Sequence, residues 1–139
     1  MEMSYFYIHK TQYYETDQMG IIHHSNYIRW FEEARTAFME ENGYSYARLE
    51  AENVISPVLT AECEYRKMVH YGDTVKIEVI VEKFNGIKLV VGYRVFDLKT
   101  GELCTTGRTS HCFLNAAGRP ISLKKEKEEF YRMFASALE

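Results

Sequence analysis

Residues 13–43 read YYETDQMGIIHHSNYIRWFEEARTAFMEENG, and this stretch decides the fold. Its second half has apolar side chains at helical spacing with charged residues between them, which predicts an amphipathic helix over residues 26–42. At 1.5 Å per residue such a helix is ~25 Å long and needs a broad apolar surface to lie on. The apolar residues on the shared face are Tyr27, Phe31, Ala34 and Phe38.

Both ends of this helix carry recognisable signals. Ser25 or Asn26 can cap the amino end by accepting a hydrogen bond from a backbone N–H. Gly43 stands where a residue with positive φ would end the helix. The long helix is therefore predicted to begin near residue 26 and to end just before Gly43.

The second half of the chain supplies the apolar surface as four predicted strands. The clearest alternates valine and isoleucine with lysine and glutamate across residues 74–84. Short glycine-containing turns join the strands, so they are predicted to run as an antiparallel meander. The strands are residues 58–65, 74–84, 88–97 and 103–114, and the turns are Tyr71-Gly72-Asp73, Asn85-Gly86 and Lys99-Thr100-Gly101.

Two terminal segments complete the predicted architecture. Residues 4–13 are rich in strand formers and predict a first strand, and residues 122–138 predict a second amphipathic helix. The chain is expected to form a single domain over residues 1–139. An antiparallel sheet that wraps one central helix, the hotdog arrangement, is one α+β option for this order of elements.

Composition excludes several classes of protein. A net charge of −3 lacks the basic footprint of a protein that holds nucleic acid through phosphate contacts. The three cysteines are odd in number and have no C-x-x-C spacing, which favours free thiols over disulfides or a zinc ribbon. No stretch approaches the ~20 apolar residues of a membrane span, and the first ten residues do not resemble a secretory signal. The expected location is cytoplasmic.

The common catalytic motifs are absent from the sequence. It contains no G-x-S-x-G, no Walker glycine loop and no dinucleotide fingerprint. Asp17 remains, in a turn ahead of a helix start whose backbone N–H groups near His23 to Asn26 have no partners within the helix. A carboxylate and free N–H groups suit acyl transfer, and Gly20 lets a substrate approach the backbone. Alone, an acid in a polar turn is more often a turn former.

The spacing of the stretch carries more information than any one of its residues. It reads Tyr14-x-x-Asp17-x-x-Gly20-x-x-x-His24-x-x-Tyr27-x-x-x-Phe31-Glu32-x-Ala34-Arg35. This pattern resembles the signature of hotdog-fold acyl-CoA thioesterases of the 4-hydroxybenzoyl-CoA thioesterase and YbgC type. The resemblance is specific over residues 5–43 and looser beyond them.

The resemblance implies a hydrolase that splits an acyl-CoA into a carboxylic acid and free coenzyme A. Asp17 would attack the thioester carbonyl or direct a water to it, and both mechanisms stay open. The backbone N–H near His24 would stabilise the oxyanion. Coenzyme A is then part of the substrate, and the family uses no metal and no separate cofactor.

The remaining candidate site residues each have a structural alternative. The His24 side chain either positions substrate or water or is structural. Tyr14 lines the acyl pocket, hydrogen-bonds the Asp17 carboxylate or packs at a strand end. Tyr27 either contacts the substrate or packs in the core, and Asn26 is either a helix cap or a polar pocket contact. Glu32 and Arg35 are expected to form an ion pair along the helix. Basic residues on or beside strands are candidates for the coenzyme A phosphates: Arg66, Lys67, Lys88, Arg94 and Arg108.

Assembly and competing functions follow from the same resemblance. Two sheets are expected to join edge to edge, giving a homodimer or homotetramer with active sites between subunits. A hotdog hydratase or dehydratase is one alternative, and a non-catalytic module that binds acyl-CoA or an acyl carrier protein is another. Short, long and aromatic acyl groups all remain open. No nucleic-acid partner and no membrane span are expected.

Overall fold

The computed structural model describes residues 5–138, so Ser4 of the predicted first strand lies outside the described part. One antiparallel sheet packs against a long helix and is followed by a helical carboxyl end. In chain order the elements are β1 Tyr5–Lys10, a 3-10 turn Tyr13–Glu15, α1 Ser25–Glu41, α2 Tyr46–Ala51, β2 Val58–Tyr65, β3 Thr74–Phe84, β4 Lys88–Asp97, β5 Leu103–Cys112, α3 Leu123–Glu126 and α4 Glu128–Ser136.

The sheet has five strands in the order β1-β3-β4-β5-β2, and every neighbouring pair is antiparallel. The predicted meander is confirmed for β3, β4 and β5. It is wrong for β2, which pairs with β5 at the far edge, in a register that sets Glu62 opposite Arg108. The 71–73 turn instead closes against the end of β1, because the backbone N–H of Gly72 donates to Thr11 Oγ1 at 3.0 Å.

The predicted apolar face of α1 is buried against this sheet. Trp30, Phe31 and Ala34 are fully buried, and the Phe31 ring stacks on Tyr93 with a centroid separation of 4.3 Å. A side chain at Gly107 of β5 would clash with the Phe31 ring, so this glycine permits the close approach of helix and sheet. The hotdog arrangement predicted from the order of elements is therefore confirmed.

The ends of α1 agree with the sequence in part. Gly43 has a φ of +81° and follows the helix end as predicted. At the amino end, His24 occupies the cap position and makes no side-chain cap hydrogen bond. The predicted cap at Ser25 or Asn26 is wrong, because the helix begins at Ser25 and the Asn26 amide donates to carbonyl oxygens instead.

Other differences are local. The predicted terminal helix is broken at Lys127 into α3 and α4, and the short helix α2 was not predicted. The first strand ends at Lys10 and not at Tyr13, because Tyr13 already belongs to the 3-10 turn Tyr13–Glu15. The three cysteines are free thiols as predicted, with Cys104 buried. No helix within residues 5–138 is both long and apolar enough to cross a membrane.

Candidate active site

Asp17 lies in a small hairpin that precedes α1. Thr16 and Ile22 form an isolated antiparallel bridge, and the Asp17 N–H donates to the Ile21 carbonyl at 2.8 Å. Asp17 Oδ1 accepts a hydrogen bond from the Met19 N–H at 2.8 Å, which fixes the carboxylate. Gly20 has a φ of +76° and completes the turn. Asp17 Oδ2 has no hydrogen-bond donor within residues 5–138, so one oxygen is available to a ligand.

The segment between this hairpin and α1 presents a free backbone N–H group. The His23 N–H donates to the Glu15 carbonyl at 2.9 Å, and the Ser25 N–H donates to His23 Nδ1 at 3.2 Å. The His24 N–H between them has no acceptor in the described part of the chain. It stands at the positive end of the α1 dipole, where an oxyanion is stabilised.

An open cleft of about 700 Å³ brings these groups together. It places three of the predicted site residues on one surface, namely Asp17, His24 and Tyr27. Burial raises the pKa of the Tyr27 phenol and raises that of Tyr65 to about 12, so both stay neutral near pH 7. The remaining lining residues are Ile21, Ile22, Arg66, Lys67, Met68 and His70.

The other predicted site residues lie outside the lining of this cleft. Tyr14 is 81% exposed, and Gly20 forms the tip of the hairpin. Asn26 is buried, and its Nδ2 donates to the carbonyl oxygens of Glu15 at 2.8 Å and His23 at 3.3 Å. Asn26 thus links the hairpin to the helix start. A role of these three residues in substrate binding stays a prediction.

The candidate phosphate-binding residues divide into two groups. Arg66 and Lys67 line the cleft, and they pair with Glu64 and Glu102 respectively. Arg94 pairs with Glu78 and Arg108 pairs with Glu82 and Glu62, and both arginines lie outside the lining of the cleft. Lys88 is exposed at the start of β4. Only Arg66 and Lys67 are therefore placed to meet a ligand that extends from Asp17.

Sequence reasoning missed the residue that anchors the hairpin. Glu15 is 4% exposed and accepts hydrogen bonds from Trp30 Nε1 at 2.7 Å and the Gln12 N–H at 2.7 Å. His9 of β1 lies 3.1 Å from the same carboxylate. These partners come from three separate elements, so no local pattern in the sequence signals the burial of Glu15.

A second, more enclosed cavity of about 130 Å³ lies between the carboxyl half of α1 and the start of β2, and we call it the Arg35 cavity. The predicted ion pair of Glu32 and Arg35 is wrong, because Arg35 Nη1 donates to the Tyr93 hydroxyl at 2.9 Å. Arg35 makes no ion pair with any acid of residues 5–138. The lining residues are Glu32, Arg35, Thr36, Met39, Tyr46, Leu49, Ser56, Val58, Leu89, His111, Phe113 and Phe134.

A buried hydrogen-bond chain extends from Arg35 into the sheet. The Tyr93 hydroxyl lies 2.8 Å from Thr109 Oγ1, which lies 2.8 Å from His111 Nε2. Burial and the charge of Arg35 lower the pKa of His111 to about 3, so its ring is neutral. Arg35 can only donate, so the Tyr93 hydroxyl oxygen accepts the first hydrogen bond of the chain.

Comparison with known proteins agrees with the fold and with the resemblance in the sequence. An antiparallel sheet of five strands wrapped around a central helix is the hotdog fold. A model of the Thioesterase-like superfamily matches residues 11–138, and the chain belongs to that superfamily. Its resemblance to hotdog-fold acyl-CoA thioesterases is thereby confirmed.

Individual relatives extend over most of the chain. A putative acyl-CoA thioesterase, YneP of Bacillus subtilis, is 36% identical over 129 residues, which cover 92% of this chain and 93% of that protein. The acyl-CoA thioester hydrolase YbgC of Escherichia coli O157:H7 is 28% identical over 62% of this chain and 64% of its own. The crystal structure of a DHNA-CoA thioesterase from Staphylococcus aureus superposes with a TM-score of 0.91 at 34% identity, covering 96% of this chain and 89% of that one.

Proposed function

We propose that the protein hydrolyses the thioester bond of an acyl-CoA and releases a carboxylic acid and free coenzyme A. The observation that carries this proposal is the pairing, in one cleft, of an Asp17 oxygen free to react with the unoccupied His24 N–H. Acyl transfer needs a nucleophile or base and a donor for the oxyanion. Membership of the thioesterase superfamily and the names of the relatives support the same reaction.

Two routes begin at Asp17. As a nucleophile, its carboxylate attacks the carbonyl carbon, the C–S bond breaks, and water hydrolyses the resulting anhydride. As a base, it takes a proton from a water molecule that attacks the same carbon. Both routes consume one water and release the acid and the thiol. In both, the carbonyl oxygen becomes anionic, and a donor such as the His24 N–H contributes ~10²–10³ in rate.

Substrate contacts extend from Asp17 in two directions. Arg66 and Lys67 line the cleft and are the side chains that we assign to the coenzyme A phosphates. We assign the acyl group to the opposite side of the thioester, where the second copy of the chain proposed below would meet it. An acyl carrier protein would present the same thioester. Thiol release from one acyl group, attached either to coenzyme A or to an acyl carrier protein, separates these two acyl donors.

We further propose that a second copy of the chain pairs along β2. This edge strand has residues exposed on both faces, and Val58, Leu59 and Tyr65 are each about half exposed. Edge strands of this kind pair with other strands unless they are protected. A two-fold axis makes the pairing antiparallel, so the start of one β2 lies beside the end of the other.

Such pairing completes the acyl site. The Asp17 cleft is at the Tyr65 end of β2, and the Arg35 cavity is at the Val58 end. Residues opposite each other in an antiparallel pair have Cβ atoms ~5 Å apart, so the dimer sets the Asp17 cleft of one protomer beside the Arg35 cavity of the other. The cavity has nearly the volume of an engineered cavity of ~150 Å³ that binds benzene, and we assign the distal end of the acyl group to it.

The test of the reaction is thiol release from a panel of acyl-CoAs by the wild type and by Asp17→Asn. This change keeps the shape of the side chain and removes its charge, so kcat should fall ~10²- to 10⁴-fold. Asp97→Asn is the matched control, because Asp97 Oδ1 also accepts backbone N–H bonds in a turn, but at the β4–β5 hairpin. Unchanged turnover in D17N would remove Asp17 from the mechanism. Saturable binding by the wild type without thiol release would make the protein a binding module.

A further inference from the structure

We propose that Glu15 is a positioning residue, which fixes the Asp17 carboxylate and the His24 N–H in the relative positions that thioester hydrolysis requires. This inference rests on the proposed function. Glu15 lies two residues before Asp17 and is buried beneath the cleft rather than in its lining. Its side chain and its carbonyl oxygen each hold a different part of the site.

The side chain fixes the hairpin to the body of the fold. Gln12 N–H and Trp30 Nε1 each donate to a separate carboxylate oxygen at 2.7 Å, and His9 Nε2 lies 3.1 Å from both. Burial acts to raise the pKa of Glu15, but the hydrogen bonds from Trp30, His9 and Gln12 outweigh it and leave the pKa below its usual value. The ionised carboxylate thus joins β1, the 3-10 turn and α1.

The carbonyl oxygen of Glu15 fixes the helix start. It accepts hydrogen bonds from the His23 N–H at 2.9 Å and from Asn26 Nδ2 at 2.8 Å. The hairpin from residue 16 to residue 22 therefore closes at its base on Glu15. Since Asp17 follows one end of that base and His24 follows the other, a movement of Glu15 changes the position of both groups relative to each other.

Glu15→Gln tests the inference, because it keeps the size of the side chain and replaces one acceptor oxygen by an NH₂ donor. That NH₂ group must face either the Gln12 N–H or Trp30 Nε1–H, because these two donors bind separate oxygens of Glu15, so the hairpin shifts. A displacement of ~1 Å of catalytic groups lowers rates by ~10²-fold. We expect kcat to fall ~10- to 100-fold, while the dissociation constant for free coenzyme A changes less than ~2-fold, since the residues that line the cleft are unchanged.

Glu33→Gln is the matched control. Glu33 Oε1 lies 3.7 Å from His9 Nδ1 and accepts a hydrogen bond from the Tyr7 hydroxyl at 3.1 Å, but its side chain does not contact the hairpin. Glu33→Gln thus removes a carboxylate that lies near His9, the histidine that also contacts Glu15. In this variant kcat should stay within ~2-fold of the wild type. Equal values of kcat in the folded E15Q and E33Q proteins would overturn the inference.

Amide hydrogen exchange gives a readout that does not depend on turnover. The His23 N–H should exchange faster in E15Q than in the wild type and at the wild-type rate in E33Q, and unchanged exchange in E15Q contradicts the inference. If E15Q does not fold, Trp30→Phe replaces it, because this change removes one hydrogen-bond donor to Glu15 and keeps a buried ring. In this variant kcat should fall while the affinity for coenzyme A stays unchanged. An unchanged kcat overturns the inference. D17N, measured in parallel, tests the proposed function separately. If the proposed function fails that test, the hydrogen exchange of the His23 N–H still decides whether Glu15 holds the hairpin and the helix start together.

Discussion

Asp17 and Glu15 are two acids of one short segment with opposite surroundings. Asp17 is bound on one side by its own turn and has an oxygen open to the cleft, whereas Glu15 is surrounded by donors. The spacing motif predicts Asp17 because the turn, the glycine and the helix start are close in sequence. Glu15 could not be predicted, because His9 and Trp30, which bury it, come from β1 and α1 and meet only in the folded chain.

His111 should make the stability of the protein depend on pH. Its folded pKa of about 3 lies below the ordinary value of 6.5, because of burial and the charge of Arg35. Protonation therefore favours the unfolded chain. The stabilising contribution is complete above pH 6.5 and is lost as the pH falls toward 3. Between pH 7 and pH 4 this group should lower the free energy of unfolding by on the order of 3 kcal/mol.

Urea titrations at the two pH values measure this effect. In His111→Gln the loss of unfolding free energy between pH 7 and pH 4 should be smaller than in the wild type by on the order of 3 kcal/mol. The glutamine retains an acceptor for Thr109 and does not titrate. His70→Gln is the control, because His70 is exposed, and it should behave like the wild type. Identical pH dependence in H111Q and the wild type would contradict a buried neutral His111.

At the scale of elements, α1 and the strands differ in how far the sequence predicts them. The period of 3.6 residues and Gly43 predict α1 to within a residue at its carboxyl end. The bounds of β2, β3 and β4 follow from alternation and turn residues, whereas β1 and β5 end before their predicted carboxyl ends. The pairing of β2 with β5 is set by contacts between residues more than forty positions apart, such as Glu62 and Arg108, and a local pattern does not contain that information.

The contact of α1 with the sheet depends on the missing side chain of Gly107. In Gly107→Ala the new Cβ would clash with the Phe31 ring, which is fully buried and has no room to move. Overpacking of this kind costs about 1–3 kcal/mol of unfolding free energy, measured by urea or thermal unfolding. In the control Gly92→Ala the atoms nearest to the new Cβ belong to the flexible, partly exposed side chain of Glu82, which can move at the expense of its ion pair with Arg108, so the loss should stay below ~1 kcal/mol. Equal losses in the two variants would contradict this account of the packing.

At the scale of the whole molecule, β2 separates two cavities that differ in chemistry. The cleft at its carboxyl end contains Asp17 and His24, and the Arg35 cavity at its amino end contains a buried hydrogen-bond chain that starts at Arg35, an arginine without an ion pair within residues 5–138. The sequence does not predict the second cavity, because Arg35 and His111 are brought together only by the packing of α1 on β5. In the dimer that we propose, antiparallel pairing of two β2 strands would give these separate cavities a common function.

A mixed dimer distinguishes a site shared between protomers from one contained in a single protomer. In a dimer of one D17N chain and one Arg35→Met chain, purified with two different tags, the Asp17 cleft of the R35M chain faces the intact Arg35 cavity of the D17N chain. If the site is shared, this dimer has one complete site and about half the wild-type rate. Each homodimer should be strongly impaired, R35M by ~10-fold or more through the loss of a charged hydrogen-bond donor. Arg29→Met, an exposed arginine of the same helix, controls for charge and should leave the rate unchanged. If Asp17 and Arg35 instead act within one chain, the mixed dimer has no complete site, and its rate cannot exceed the mean of the two homodimers.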